Sequence, residues 1–226
     1  MTRQTALIVG AGSGLSGSLA RLLLDEGFEV ALAARTTEKL KEFSAKALVL
    51  KGDASDPAQV AEIFSKSEAK LGVPDLVVYN AGYRTRGAFV ELQPEEVRKT
   101  IEISAFAGFL VAQAAAKRML PRGSGAIFFT GASASVKGYA QSAPFAMGKF
   151  ALRGLAQSLA RELAPKGIHV AHFVIDGAIA APGRSAPGED AMLSPDEIAR
   201  SYLQVYRQQR SAWSWELELR PWVEKF

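Results

Sequence analysis

The chain has 226 residues, 48% of them hydrophobic and 22% charged, and its net charge of +4 comes from 27 basic and 23 acidic residues. No run of like charge suggests a nucleic-acid arm or a membrane-binding face. With no cysteine, disulfides, thiolate metal sites and cysteine nucleophiles are excluded, and no other metal site is expected. No charged leader or hydrophobic signal core precedes "TALIVG", and no apolar run is long enough for a membrane span, so the expectation is a soluble cytoplasmic protein.

Short β-rich runs alternate with helical patterns, the order that builds a parallel sheet covered on both faces. The strands expected are Thr5 to Gly10, Glu29 to Ala34, Ala47 to Lys51, Asp75 to Asn80, Gly125 to Thr130, Ile168 to Ile175 and Trp213 to Leu219. Six helical segments lie between them, the longest from about Pro94 to Leu120 and from about Pro144 to Leu163. Right-handed crossovers then give an α/β fold, a doubly wound parallel sheet of the Rossmann type with about seven strands. Residues 1–226 read as one domain. The Pro/Gly-rich stretch at about 179–195 reads as a loop over the ligand crevice. Ser194, followed by Pro195 and by Glu197 three residues on, predicts a capped helix start.

The first chemical signal is "ALIVGAGSGLSGSLARLLLDEGFEVALAAR". Gly12, Gly14 and Gly17 satisfy GxGxxG between a buried strand and a helix. There the motif supplies a tight turn, close backbone approach to a pyrophosphate and a helix N-terminus with free N–H groups. This is a dinucleotide site, against the plainer alternative of a glycine-rich turn. At the end of the second strand, an acidic residue would take the ribose hydroxyls of NAD. The chain has Arg35 and Thr36 there instead, a guanidinium fork and a hydroxyl suited to a 2′-phosphate, so NADP is expected over NAD. Alternatively Arg35 only solvates a helix start.

With these residues in view, the chain resembles a short-chain dehydrogenase/reductase along nearly its whole length. In "VGAGSGLSG", Gly10 and Gly14 match the family's first two fixed glycines and Ser16 stands at the third; Gly12, Ser13 and Leu15 belong to the same turn. "GDASD" resembles the segment in which Asp53 and Ala54 meet the adenine. "YNAG" is similar to the family's NNAG, with Asn80, Ala81 and Gly82 retained. "KGIHVAHFVIDGAIAAP" resembles the sixth strand and the turn touching the nicotinamide, including Gly177 and Ile179, with Asp176 where a Pro is usual.

The resemblance also implies an active site of Asn, Ser, Tyr and Lys, in which Tyr exchanges the proton, Ser holds the substrate oxygen, Lys binds the nicotinamide ribose and Asn keeps a water relay. Here Ser104 falls at the Asn position and Ala132 at the Ser position, with Ser133 next to it. Phe145 falls at the Tyr position, and Lys149 is retained.

Three readings of Phe145 and Lys149 follow. In one, Phe145 is core and Lys149 a solvated helical residue. In the second, the chain is an NADP-preferring oxidoreductase on a carbonyl or alcohol, with another proton route. In the third, NADP(H) is bound without efficient turnover, by a sensor or oligomeric partner. A non-redox enzyme reusing the crevice is a further alternative. A missing general acid typically costs on the order of 10²- to 10⁴-fold, so another donor is needed. Tyr83 and Tyr139 are the nearest phenols in sequence; Ser133, Ser142 and a water held by Lys149 are further candidates, and His172 is less favoured because it sits within a strand. The aromatic tail of Trp213, Trp215, Trp222 and Phe226 is first read as core and subunit contact in a homodimer or homotetramer, and alternatively as a wall of the substrate pocket.

Overall fold

The computed structural model describes residues 3–185, 188 and 190–224. Phe226 and part of the stretch at 179–195 lie outside the described residues. Seven strands form one parallel sheet in the order β3-β2-β1-β4-β5-β6-β7. They are β1 (Thr5–Val9), β2 (Glu29–Ala34), β3 (Leu48–Lys51), β4 (Leu76–Tyr79), β5 (Gly125–Thr130), β6 (Ile168–Ile175) and β7 (Glu216–Leu219). The six α-helices are α1 (Leu15–Asp25), α2 (Pro57–Leu71), α3 (Pro94–Ile101), α4 (Ala107–Met119), α5 (Ala143–Leu163) and α6 (Pro195–Tyr206).

The inner strands β1, β2, β4, β5 and β6 are buried on both faces, which is why they read as continuous apolar runs; the edge strands β3 and β7 are only partly buried. Alternate residues feed two separate cores. Ile8, Leu32, Val78 and Phe128 pack with α1 and α6, whereas Leu7, Ala31, Val77 and Phe129 pack with α2, α4 and α5. Phe128 and Phe129 are neighbours in sequence on opposite faces, both fully buried, and each contributes roughly 2–3 kcal/mol of burial.

The chain crosses from β3 at one edge back past β1 to β4. This crossover makes a switch point between β1 and β4, where a crevice opens at the carboxyl ends of the strands. The register sets those ends level, with Val9 opposite both Ala33 and Tyr79, Tyr79 opposite Phe129, and Ile175 opposite Leu219. The turns that follow β1, β4, β5 and β6 therefore share one edge.

Three local expectations need correction. The helix expected from Pro94 to Leu120 is interrupted by a π-turn, Glu102–Phe106, between α3 and α4. The buried Tyr79 hydroxyl donates to the Ile103 carbonyl, which takes that acceptor out of the regular helical ladder. The last strand begins at Glu216 rather than Trp213. Trp213 instead lies flat on His169 with ring centroids 4.6 Å apart, and its indole N–H donates to the Gln208 carbonyl. Finally, Ser194 stands at the start of α6 without a side-chain cap bond, and Glu197 pairs with Arg200 rather than closing a capping box.

Candidate active site

The glycine turn after β1 is tight at Gly10, not at Gly12. Gly10 has φ +84°, and a Cβ there would lie 2.3 Å from the Ala81 backbone nitrogen. Only glycine lets the ends of β1 and β4 approach this closely. At Gly12 and Gly14, by contrast, an added Cβ would meet nothing within 4 Å, so the backbone there faces open space. Gly14 caps α1 without a side-chain bond, and the first turn of α1 carries no acid. Its N–H groups and dipole are left for an anion. Gly17 serves packing: a Cβ would stand 3.1 Å from the Gly12 carbonyl oxygen. Ser16, at the remaining glycine position, donates to the Gly10 carbonyl at 3.1 Å and accepts from the Asn80 amide at 2.5 Å. The turn is thereby tied to β4.

Two cavities flank this junction. The smaller, about 370 Å³, is lined by Gly12, Arg35, Thr36, Asp53, Ala54 and Ala81, among others. Asp53 is ordered by a local turn, its Oδ1 accepting from the Ser55 amide at 2.9 Å and hydroxyl at 2.7 Å. Arg35 is exposed, and Lys39, four residues on, joins the same wall. The sequence reading missed Lys39, although its spacing from Arg35 on a helical start was visible. Open backbone at the helix N-terminus and cations beyond β2 fit a dinucleotide bearing a third phosphate. Ser13 is exposed at the turn and outside both linings.

The larger cavity, about 1060 Å³, brings together Leu15, Asn80, Ser133, Tyr139, Phe145 and Ile179. Gly177 also lines it, and a Cβ on Gly177 would lie 2.6 Å from Pro221 Cδ. The C-terminal segment thus packs behind the site, and Glu224 reaches the lining. The loop at 179–195 is stapled at its base, where Ala180 donates to the Leu193 carbonyl and Leu193 to that of Ala178, each at 2.8 Å. Its described residues Gly183, Arg184 and Met192 line the cavity.

Lys149 lines neither cavity itself, but it touches residues of both: Thr130 of the larger and Gly82 of the smaller. It falls on the buried stripe of α5 with Gly148, Leu152 and Ala156, which overturns the reading of a solvated lysine. Its Nζ donates to the Thr130 carbonyl at 2.7 Å and lies 3.7 Å from where a Cβ on Gly82 would stand. Burial pushes its pKa down to about 8. The Thr130 hydroxyl is in turn 2.8 Å from that of the buried Tyr202, which stacks on Phe173, so the carbonyl holding Lys149 is braced from below.

The alternative proton donors separate clearly. Tyr83 donates to Glu96 at 2.5 Å and lines neither cavity. Ser104 is fully buried, donates to the Tyr83 carbonyl at 3.3 Å and packs on Gly148, so it also stays off both linings. His172 is buried beneath Gly131, bonded to Glu216 at 3.0 Å and Ser135 at 3.3 Å. Burial pushes it down to about 4 against the pull of Glu216. Tyr139, Ser133 and Ser142 do line the larger cavity. Ser142 is 1% exposed and its hydroxyl has no partner.

Asp176 holds a role the sequence left open. Its N–H donates to the Leu219 carbonyl at 2.8 Å, a bond the proline expected there could not make. Its buried carboxylate accepts from Lys137 at 2.7 Å, and the nearby Ser133 hydroxyl also favours its ionised form. Burial raises the carboxyl's pKa, but Lys137 and Ser133 together hold it below the usual carboxylate range.

A family model for the short chain dehydrogenases matches residues 4–186, and the chain belongs to that family. It is 31% identical over 179 residues to a 3alpha-hydroxysteroid dehydrogenase of Mediterraneibacter gnavus, covering 75% of this chain and 72% of that one. An uncharacterized oxidoreductase of Staphylococcus aureus is 28% identical over 98% of each chain. Among solved structures, a short-chain dehydrogenase from Rhodopseudomonas palustris aligns with TM-score 0.84 at 34% identity, covering 97% of this chain and 99% of that one. An alcohol dehydrogenase from Thermococcus sibiricus complexed with 5-hydroxy-NADP aligns with TM-score 0.87 at 25% identity, covering 99% and 98%.

Proposed function

We propose that this chain is an NADP(H)-dependent oxidoreductase acting on a carbonyl or alcohol, with a proton route that does not use a phenol at position 145. The observation that carries the reading is Lys149: a buried ammonium bonded to the carbonyl of Thr130, which lines the larger cavity, and close to Gly82, which lines the smaller cavity edged by Arg35 and Lys39. When bound, the dinucleotide supplies a hydride to a carbonyl carbon, or accepts one from an alcohol carbon. Gly12, Gly14 and the start of α1 hold its pyrophosphate, Arg35, Thr36 and Lys39 its 2′-phosphate, and Lys149 its nicotinamide ribose. The complex of the Thermococcus sibiricus alcohol dehydrogenase with 5-hydroxy-NADP supports this choice.

In reduction the π-electrons of the C=O bond go to oxygen, which must gain a proton. Ser133 donates its hydroxyl proton to that oxygen and takes a replacement through Asp176 from the Lys137 ammonium. Lys137, half-exposed, regains its proton from water; alcohol oxidation runs the same line in reverse. Phe145 keeps the reacting carbon out of water.

The test is Asp176→Asn, which keeps an acceptor for Lys137 but breaks the relay. Turnover of NADPH with a carbonyl panel should fall about 10²-fold with NADPH affinity unchanged. Retained turnover sinks the relay, and absence of NADPH binding in the native protein sinks the whole reading.

Phe145 itself favours a second reading, an NADP(H)-binding protein without efficient turnover. Under either reading the expected setting is the cytoplasm and the expected state a homodimer or homotetramer. Exposed Phe106, Phe109, Met147 and Phe150 on and beside α4 and α5 support a subunit contact. No helix among the described residues is long and apolar enough to cross a membrane.

A further inference from the structure

The larger cavity has an unbalanced wall. Three of its lining residues are arginines, Arg84, Arg86 and Arg184, and one, Glu224, is acidic. None of the three arginines forms an ion pair with a described residue. The Arg184 guanidinium donates to the Ile179 carbonyl at 3.4 Å. Arg84 lies over the Phe145 ring, its guanidinium carbon 5.1 Å from the centroid. Partial burial and then the neighbouring Arg86 both push its pKa down. Both side chains are exposed; two like charges side by side with no carboxylate between them repel one another, and an anion joining them relieves that repulsion.

The dinucleotide does not account for these cations. Its pyrophosphate has the N-terminus of α1, its third phosphate has Arg35 and Lys39, and Arg84 and Arg86 follow β4 on the other side, against Phe145. A second feature of the same wall points to a ligand. The Ser142 hydroxyl, three residues before Phe145, is buried without a partner, and a buried hydroxyl left unbonded is costly. Glu224, on the C-terminal segment, repels an anion from its own part of the wall and leaves the Arg84 and Arg86 end as the place for one.

We infer that the substrate carries a carboxylate or phosphate group, held by Arg84 and Arg86 with Ser142 donating a hydrogen bond, so that the enzyme acts on an oxo acid, a hydroxy acid or a phosphorylated carbonyl compound. The inference rests on the oxidoreductase reading and narrows its substrate class.

The experiment compares matched pairs on the protein saturated with NADP⁺, by calorimetry: 4-oxopentanoate against its methyl ester, and dihydroxyacetone phosphate against dihydroxyacetone. The anionic member of at least one pair should bind about tenfold more tightly or better, as expected for a charge-assisted guanidinium contact, and the responding pair tells carboxylate from phosphate. Arg84→Gln with Arg86→Gln should reduce that preference to within about twofold, whereas Arg3→Gln with Lys46→Gln, a matched loss of two charges at the opposite ends of the strands, should leave it intact. Equal binding of charged and neutral members in both pairs, or a preference that survives the double substitution, overturns the inference while leaving NADP⁺ binding and the oxidoreductase reading standing. Failure of NADP⁺ to bind takes both down.

Discussion

The Lys149 ammonium stands 5.8 Å from the centre of the Phe145 ring, and the Arg84 guanidinium stands 5.1 Å from the same ring. A phenol built on that ring would have cations close to it, which favours its ionised form. Phe145→Tyr adds one hydroxyl beside an open cavity where water can satisfy it, so stability should change by no more than about 0.5 kcal/mol. If the proton comes by way of Ser133, turnover of the native substrate should stay level or fall as the added hydroxyl crowds the wall. Steady-state oxidation of NADPH with simple activated ketones is the check. A rise of about tenfold or more, within what a general acid supplies, would instead favour the reading without efficient native turnover.

Cofactor choice turns on the end of β2. Arg35 is exposed there beside Thr36, with Lys39 on the same wall and Asp53 across the cavity. Arg35→Asp places a carboxylate where the 2′-phosphate would lie and where ribose hydroxyls could be accepted instead. NADPH should weaken by about tenfold to a hundredfold, on the order of 1.5–3 kcal/mol for a charged bond, and the preference for NADPH over NADH should reverse. Fluorescence titration of both nucleotides decides it. Equal affinities before and after the change remove Arg35 from the site.

Much of the scaffold was legible because it depends on local pattern. The apolar runs at Glu29–Ala34, Gly125–Thr130 and Ile168–Ile175 mark their strands to the residue, and helical spacing sets Lys149 on the stripe of Gly148, Leu152 and Ala156. The features missed depend on partners distant in the chain. The π-turn requires the Tyr79 hydroxyl to reach a carbonyl 24 residues away, and the Asp176 ion pair joins residues 39 apart. Arg84 and Arg86 lie in an irregular segment with no period to reveal a face. Only the packing of Phe145 beneath Arg84 gives them a direction.

Acid should destabilise the fold through His172. This imidazole is fully buried between Ser135 and Glu216, and Glu216 is clamped by both Arg153 N–H donors at 2.6 and 2.8 Å. Burial lowers its pKa to about 4 from 6.5. Between those values the unfolded chain binds the proton and the folded protein does not, so stability is complete above pH 6.5 and falls as the pH drops toward 4. The loss from this residue is roughly 3 kcal/mol at most. Urea unfolding midpoints from pH 7.5 to 4.5 should show it, and His172→Gln should flatten that part of the curve at the expense of some stability at neutral pH. An unchanged slope in the variant would assign the acid sensitivity to the carboxylates.

Lys149 should trade stability for ligand binding. Its pKa is lowered to about 8 from 10.5, so below pH 8 the folded protein carries a buried ammonium that the unfolded chain would leave in water. The penalty is complete below pH 8 and disappears as the pH rises toward 10.5, where the unfolded chain also gives up its proton, so this residue makes stability increase with pH across that window. The shift corresponds to roughly 3 kcal/mol as an upper bound, offset by about 1 kcal/mol from the bond to the Thr130 carbonyl. Lys149→Met should therefore stabilise the protein at pH 7 by about 1–2 kcal/mol while weakening NADPH. Binding should follow the opposite trend with pH. If the ammonium bonds the nicotinamide ribose, the native dissociation constant for NADPH should be level below pH 8 and rise above it, by no more than about tenfold per pH unit. Lys149→Arg, whose charge persists throughout, should show no such rise. Titrations from pH 6.5 to 9.5 read both effects on the same samples. A methionine variant that binds NADPH as tightly as the native protein would leave Lys149 a buried charge without a ligand, and the oxidoreductase reading without its central residue.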